Sequence, residues 1–550
     1  MRKKISWEIE IPFDEYPDQV KNIYQKNYIN LRKDFANWID KISKNHADNI
    51  DWWSLFPSSR NPNFSNIYKY ICTIETLKEI TNKNIFIDIS TKSEALYKFI
   101  QKEKKFNKNL ISISYKKDSN THIVNFVSYL KSLIFQFYLF VFIKYFTKKK
   151  DVKYETLINT YPNNKLEKPE RLFQFSSKFK KKNNMKYAFV PSFIKTRNIF
   201  LLSRIITKIK NQNYIFKEHY LNFSDLIFAF NLIFRLKVFK IKYSKFRKHD
   251  VSELILADIY DFKNFYTSVI CLLNYRFVKR YNETGNKVKK AICWFENHEL
   301  KGWNYGFSKY FPETKLIGYQ GFTPLSPLMN TVPTNLEIKS KVVPQNCIII
   351  SKKYLKNIKE FNKGLKVSVG PSMVYQRIFK KFKKTKKIKF LVVLNEFRNI
   401  NNNILKWINL INSSNNKVLF YIKIPKITDM SDAIKYYSGN KDMIFVNSFL
   451  PRLFEQTKFV ITSGVGFSSI AMEALAYECS LLIPVIDPYD KVYLKRIGVP
   501  NKFYNVFENK NDFLKFFVNI PKYKEPKITK TSFKRFRNKF FNNVNESSFS

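Results

Sequence analysis

"TSGVGFSSIAMEALA" (residues 462–476) places two glycines and two adjacent serines between a short apolar run and an amphipathic one. The run "KFVITSG" (458–464) has the length and character of a buried strand. "FSSIAMEALAYE" (467–478) sets Ile470, Met472, Leu475 and Ala476 at helical spacing, so Gly464 to Ser469 reads as a strand-to-helix turn. Working outward, further short apolar runs lie at 347–351, 365–370, 388–394, 417–425, 442–448 and 480–485. Helical stretches such as "NNILKWINLINS" and "LPRLFEQT" fall between them. Strand, helix and strand at this spacing mean βαβ units and a parallel sheet covered on both faces. Upstream, "NKVKKAICWFENH" (286–298) and "TKLIGYQGF" (314–322) read as strand ends with loops in a preceding α/β domain. The reading is therefore α/β, with a first domain at 1–340, a second at 341–525, a cleft between them, and a basic tail at 526–550 that is helical at best and frayed.

The chain has 11 glycines in 550 residues and none before residue 285, so two glycines in one turn ask for a reason. After a parallel strand, the next helix points its N-terminal N–H groups into the crevice where a phosphate can be held. Gly464 and Gly466 would let the backbone approach it, and Ser468 and Ser469 would add hydroxyl donors. The plainer reading is a strand-helix turn with Ser468 as N-cap. The turn lacks the GK[ST] ending of a Walker loop and the third glycine of a dinucleotide fingerprint. Glu473, one turn into the helix, either accepts from a ribose hydroxyl or faces solvent.

A second constellation is "CWFENHELKGWNYGFSKYFPETKLIGYQGF" (293–322). Glu296, Asn297 and His298 follow directly on an apolar run, which puts them at a strand's carboxyl end. A carboxylate beside a histidine at a cleft edge is how a general base is commonly furnished. Tyr319, Gln320 and Gly321 form a second loop with a phenol and an amide suited to polyhydroxyl ligands. The competing reading is a structural turn with a satisfied Glu and His. Two more strand ends in the second domain offer Lys423 and, after "IKFLVVL" (388–394), Arg398 to an anion.

The formal charge is +53, from 97 Lys and Arg against 44 Asp and Glu. Attraction to polyanions is one reading, and the lysine enrichment of an AT-rich genome is the other. No RRM, KH or helix-turn-helix pattern occurs, so nucleic acid is not an expected partner. Five scattered cysteines and five scattered histidines point to no disulfide framework and no metal site, and a reducing compartment is expected. The basic N-terminus runs into "WEIEIPF" and not into an apolar signal segment, which predicts a cytoplasmic protein. Two segments, 123–150 and 225–248, mix large apolar residues with lysine and arginine. Both read as amphipathic helices lying on an anionic membrane surface, or as ordinary buried helices.

Taken together, "DWWSLFPSSRNPNFSNIY" (51–68), "KEHYLNFSDLIFAF" (217–230), "WFENHELKGWNYGFSKYFPETKLIGYQGF" (294–322), "PTNLE" (333–337) and the 462–476 turn resemble a bacterial surface-carbohydrate (capsule or O-antigen) biosynthesis family. That family is related to GT-B glycosyltransferases and distantly similar to sialic-acid and Kdo-type transferases. The family commonly carries ENQ where this chain has Glu296-Asn297-His298. The wider group uses a His-Pro step and a Ser-Ser/Thr step to hold cytidine monophosphate; Ser468-Ser469 matches the second, while Ile424-Pro425 stands in place of the first. A CMP-sugar is thus one candidate donor. The resemblance implies a GT-B-like pair of Rossmann-like domains with helical membrane-proximal insertions in the first. It also implies a nucleotide-sugar donor, a glycan acceptor, and work at the inner face of the cytoplasmic membrane. Because no DxD-like pair stands at a strand end, metal-independent transfer without a cofactor is expected. A non-catalytic membrane-associated scaffold is the alternative.

Overall fold

The computed structural model describes residues 4–543 apart from 104–105, 107–109, 118–120, 151, 163–185, 194–197, 211, 238–240, 242–243, 263–264, 297, 386, 415–417, 426–427 and 520–527. Among the described residues, seventeen strands lie in four sheets. A three-stranded parallel sheet joins β1 (Lys4–Glu8), β2 (Phe86–Thr91) and β3 (Ile111–Tyr115). The first large sheet runs in the order β11-β10-β9-β8-β4-β5, with β4 at Thr156–Thr160, β5 at Tyr187–Pro191, β8 at Lys290–Trp294, β9 at Lys315–Gln320, β10 at Asn346–Ile349 and β11 at Lys366–Val369. A short antiparallel hairpin, β6 (Lys245–Phe246) with β7 (His249–Asp250), lies between β5 and β8 in sequence. The second large sheet has the order β14-β13-β12-β15-β16-β17, with β12 at Ile388–Val393, β13 at Phe420–Lys423, β14 at Met443–Val446, β15 at Thr457–Ile461, β16 at Ser480–Pro484 and β17 at Tyr504–Phe507.

Both large sheets are parallel throughout. Their central strands are apolar on both faces, as in Leu391, Val392 and Val393, because helices cover each side. In chain order the first sheet reads 2-1-3-4-5-6 and the second 3-2-1-4-5-6, the latter the order of Rossmann domains. The chain is thus α/β with two Rossmann-like domains. Strand order reverses between β4 and β8 in the first and between β12 and β15 in the second. Ligands of open α/β sheets bind outside the carboxyl ends of the strands at such reversals.

Two expectations about boundaries are corrected. The strands at 346–349 and 366–369 extend the first sheet, so the division falls in the lysine-rich stretch after residue 370 and not at 340. The tail at 526–550 was expected to be helical at best and frayed; Lys530–Phe540 is a helix, and it is docked, burying Phe533, Phe536 and Phe540. These aromatics fall on one face at i, i+3 and i+7, a stripe hidden among basic residues. The tail then returns to the first domain: Ser351 Oγ donates to the Lys539 carbonyl at 2.7 Å, and Ser372 N donates to the Asn542 carbonyl at 2.8 Å.

The N-terminal segment ties the domains together from the other side. Asp14 accepts from Trp407 Nε1 at 2.9 Å and from Asn403 Nδ2 at 3.2 Å. Arg32 is buried, forks onto Glu360 at 3.0 and 2.9 Å, and stacks on Tyr489 of the second domain. The helix Thr121–Phe146 packs Tyr129, Phe135, Leu139 and Ile143 against the protein and turns other apolar side chains outward. Its stretch Ile123–Phe146 is long and apolar enough to cross a membrane by length and composition, but 39% of its most apolar window is buried inside the protein. The second amphipathic segment is broken into Phe223–Phe230 and Leu232–Leu236, followed by the β6–β7 hairpin.

Candidate active site between two strand reversals

The turn at 464–469 follows β15, as the sequence predicted, and the sheet order places it at the reversal of the second sheet. Thr462 Oγ1 donates across it to the Val393 carbonyl at 3.1 Å, and Asn395 Nδ2 donates to the Ser463 carbonyl at 3.1 Å. Gly464 has φ +64°, and a Cβ there would sit 2.8 Å from Asn395 Nδ2. Asp490, in the loop after β16, organises the turn from behind. It accepts from Ser463 Oγ, from Val465 N at 3.0 Å, from Ile486 N at 3.1 Å and from Asp487 N at 2.9 Å. Burial raises both the Asp490 and the Asp487 carboxyls, and the Asp490 charge raises Asp487 further. Val465 N–H is therefore spent on a protein carboxylate. Phe467 N–H goes to the Gly464 carbonyl and Ile470 N–H to Ser468 Oγ. What the turn presents to a ligand is its half-buried rim: Ser468, Ser469 and Glu473. Ser469 also hydrogen-bonds Tyr375, which sits in the linker between the sheets.

Two other residues assigned to the donor have different surroundings. Arg398 opens the helix Arg398–Ser413 and pairs with Asp432 at 2.6 Å on the surface. Lys423 is buried at the end of β13, in register with Val393 and Val446. Phe397, beside Arg398, packs on Phe467 of the turn, 5.1 Å between rings.

Glu296 stands just past β8, at the reversal of the first sheet, and is half-buried. Trp294 Nε1 donates to its Oε2 at 2.6 Å, fixing the carboxylate. His298 is not its partner. The chain bends so that the imidazole is buried against Phe56, 5.3 Å between rings, with Nε2 donating to the Ser54 carbonyl at 2.8 Å. Burial, with Lys301 close by, lowers its pKa to about 3, so the ring is neutral. Its role is to join the "DWWSLFPSSR" segment to the sheet. Asn297 lies outside the described residues. Tyr319 is corrected in the same way: it is fully buried, donates to the Pro371 carbonyl at 2.6 Å and accepts from Met373 N at 3.2 Å. Gly321 lies against the rings of Tyr319 and Trp294, where a Cβ would come within 2.4 Å of Tyr319. Gln320 Nε2 donates to the Thr331 carbonyl at 2.5 Å, and Gln320 lines a small pocket with Phe322, Ser326 and Glu360.

A single loop, residues 322–332, joins the two reversals. Asn330 Nδ2 donates to the Glu296 carbonyl at 2.5 Å. Three residues earlier, Pro327 packs so closely on the glycine turn that a Cβ on Gly466 would lie 2.8 Å from its Cδ. Three residues of chain span at most about 10 Å, so this one loop touches both the Glu296 backbone and the glycine turn. The loop is pinned by Tyr493 of the second domain, whose hydroxyl donates to the Pro324 carbonyl at 2.8 Å, and by Arg60. Arg60 Nη2 donates to the Met329 and Val332 carbonyls at 3.3 and 3.1 Å and to Glu337 Oε2 at 2.8 Å. Glu337 also holds Lys301 at 2.8 Å, and these two cations keep its carboxyl at about 2.

No sequence pattern announces the polar cluster behind Glu296. Glu299 is buried one turn on, close enough for its charge to interact with that of Glu296, and burial raises its pKa to about 7. Its carbonyl accepts from Asn274 Nδ2 at 3.1 Å, and Asn274 Oδ1 accepts from the buried Lys217 at 3.2 Å. Burial lowers Lys217 and raises its neighbour Glu218. These residues come from helices distant in sequence, so no local motif announces them.

No family model matches the chain, and no curated protein matches it in sequence. Among solved structures, the pneumococcal O-GlcNAc transferase GtfA in complex with UDP and GlcNAc aligns with a TM-score of 0.41 and 9% identity over 70% of this chain and 96% of that one. A Listeria monocytogenes protein assigned to UDP-N-acetylglucosamine 2-epimerase aligns with a TM-score of 0.42 and 10% identity over 72% and 93%. A GtfA/B complex aligns with a TM-score of 0.34 and 10% identity over 50% of this chain, which spans 57% of that chain's length. Likeness at this level leaves the function to be argued from the site.

Proposed function

We propose that the protein is a GT-B-type glycosyltransferase that moves a sugar from a nucleotide-activated donor to a hydroxyl of a surface polysaccharide or lipid-linked glycan. The observation that supports this most is the pairing of two strand reversals across the 322–332 loop, with a fixed carboxylate on one and a glycine-serine rim on the other. In this reading Ser468, Ser469 and Glu473 hold the donor's phosphate and ribose. Glu296 takes the proton from the acceptor hydroxyl as its oxygen bonds to the anomeric carbon, and the bond from that carbon to the phosphate oxygen breaks with its electron pair leaving on the phosphate. The Ser468 and Ser469 hydroxyls donate to the departing phosphate, and the reaction runs without a metal ion. A CMP-sugar is the donor to try first, given Ser468-Ser469. The exposed apolar face of the Thr121–Phe146 helix and its basic flank support a place on the inner face of the cytoplasmic membrane.

Sugar transfer by Glu296→Gln tests the assignment. Loss of turnover by roughly 10²- to 10⁴-fold, with donor affinity unchanged, is expected of a missing general base. Turnover near that of the unmodified protein refutes it.

A further inference from the structure

The helices Thr121–Phe146 and Ile199–Ile209 run side by side in the same direction. The Tyr138 hydroxyl meets Ser203 Oγ at 3.0 Å, and beyond both carboxyl ends Lys150 Nζ donates to the Gln212 carbonyl. On the outer face, Ile123, Val127, Leu130, Ile134 and Phe137 recur every three or four residues and are 41–66% exposed. Phe200 on the neighbouring helix is 87% exposed. The stripe from Ile123 to Phe137 is about 21 Å long at 1.5 Å per residue. The outer face continues to the exposed Tyr145, and just past the end of the helix lies a pocket lined by Lys148, Lys149, Lys150 and Lys210, with Phe216, His219 and Tyr220 in its wall.

The pocket concentrates positive charge. Burial, then Lys149 and Lys144, lower the His219 pKa to about 4, so the histidine stays neutral between cations. Its Nε2 lies 2.9 Å from Thr147 Oγ1. The carboxylate whose charge reaches Lys144, Asp225, is itself held by Arg276 at 2.5 Å and Arg280 at 2.8 Å. Lysines at the end of an amphipathic helix sit where headgroups lie when the apolar face is immersed.

We propose that this pocket binds the phosphate of an anionic phospholipid, seating the apolar stripe on the membrane with Lys148, Lys149, Lys150 and Lys210 at headgroup level. The inference rests on the membrane reading above and adds a defined phosphate site to it. The same 3₁₀ turn, Lys217–His219, carries His219 in this pocket and Lys217 in the buried cluster behind Glu296, so the lipid site and the candidate active site share one backbone turn.

The test is co-sedimentation of the full chain with vesicles of phosphatidylcholine, with and without phosphatidylglycerol. The triple variant Lys148→Gln, Lys149→Gln, Lys210→Gln is expected to bind anionic vesicles roughly a hundredfold more weakly, from the usual contribution of each juxtamembrane lysine. The corresponding Lys→Arg triple should retain binding, which excludes misfolding as the cause. A charge-matched triple outside the pocket, Lys380→Gln, Lys381→Gln, Lys383→Gln, should stay close to the parent. Equal loss in both glutamine triples overturns the inference, because a diffuse field would then account for binding. Displacement from vesicles by millimolar glycerol phosphate also overturns it, in favour of a soluble phosphate ligand. If the parent binds neither vesicle, the membrane reading falls and takes the inference with it; if the parent binds and the pocket triple binds equally well, the inference alone falls.

Discussion

Replacing Gly466 by alanine puts a methyl group where the two domains meet. The added Cβ would lie 2.8 Å from Pro327 Cδ and 3.1 Å from its Cγ, against an ordinary contact of at least 3.4 Å. The loop must therefore retreat by 3.4 − 2.8 = 0.6 Å or more. It has little freedom to do so, because Arg60, Tyr493 and Asn330 hold it at both ends. Overpacking of this kind costs about 1–3 kcal/mol, and a unit of 150–250 residues loses about 2–4 °C per kcal/mol. Gly466→Ala should thus lower the melting midpoint by roughly 2–12 °C. It should also displace Asn330 from Glu296 and reduce sugar transfer by about a hundredfold, the usual effect of a misplacement near 1 Å. Pro327→Ala removes the ring atoms that clash, so the double variant should recover part of the loss, with a coupling of about 0.5–3 kcal/mol. Scanning calorimetry on the four proteins of this cycle reads the stability, and a transfer assay reads the activity. Strictly additive effects, or a Gly466→Ala protein with unchanged midpoint and turnover, would refute the claimed contact between the domains.

Two further outcomes are expected. Glu299 has its pKa raised to about 7 by burial, so the folded state holds its proton more tightly than the unfolded chain does. The stabilisation is full below the unfolded value near 4.5 and is lost as pH rises through 7. Glu299→Gln should therefore gain on the parent protein between pH 5 and pH 8, by up to roughly 3 kcal/mol; a difference in unfolding midpoint that does not change with pH argues against the buried carboxyl. Phe536→Ala should cost about 3–5 kcal/mol and expose the C-terminal helix to limited proteolysis, whereas a frayed tail would tolerate it without change.

The sequence revealed most of what repeats along the chain and little of what depends on distant partners. Period and punctuation located the parallel strands and the 462–469 turn, because buried strands are apolar on both faces and glycine is scarce. Glu296 was legible for the same reason, as the first carboxylate past a strand end. The strands at 346–349 and 366–369 were read correctly as strands and placed in the wrong sheet, since a parallel strand carries no mark of which neighbour it will pair with. His298 and Tyr319 looked functional because their types are chemically versatile. Burial decided otherwise, and burial depends on the 54–58 and 371–373 segments that close over them. Glu299, Lys217 and Asn274 went unseen because only folding assembles them, and Asp490 lay in a loop whose value is clear only once it is found behind the turn. The aromatic stripe at Phe533, Phe536 and Phe540 was legible but was masked by the lysines around it.

Isothermal titration with a panel of CMP-, UDP- and GDP-sugars measures the central claim most directly. The account predicts that at least one of them binds one to a chain, and that the variant Ser468→Ala, Ser469→Ala weakens that binding at least tenfold while leaving the fold intact. Failure of every donor to bind a folded protein would contradict the glycosyltransferase reading and favour a scaffold.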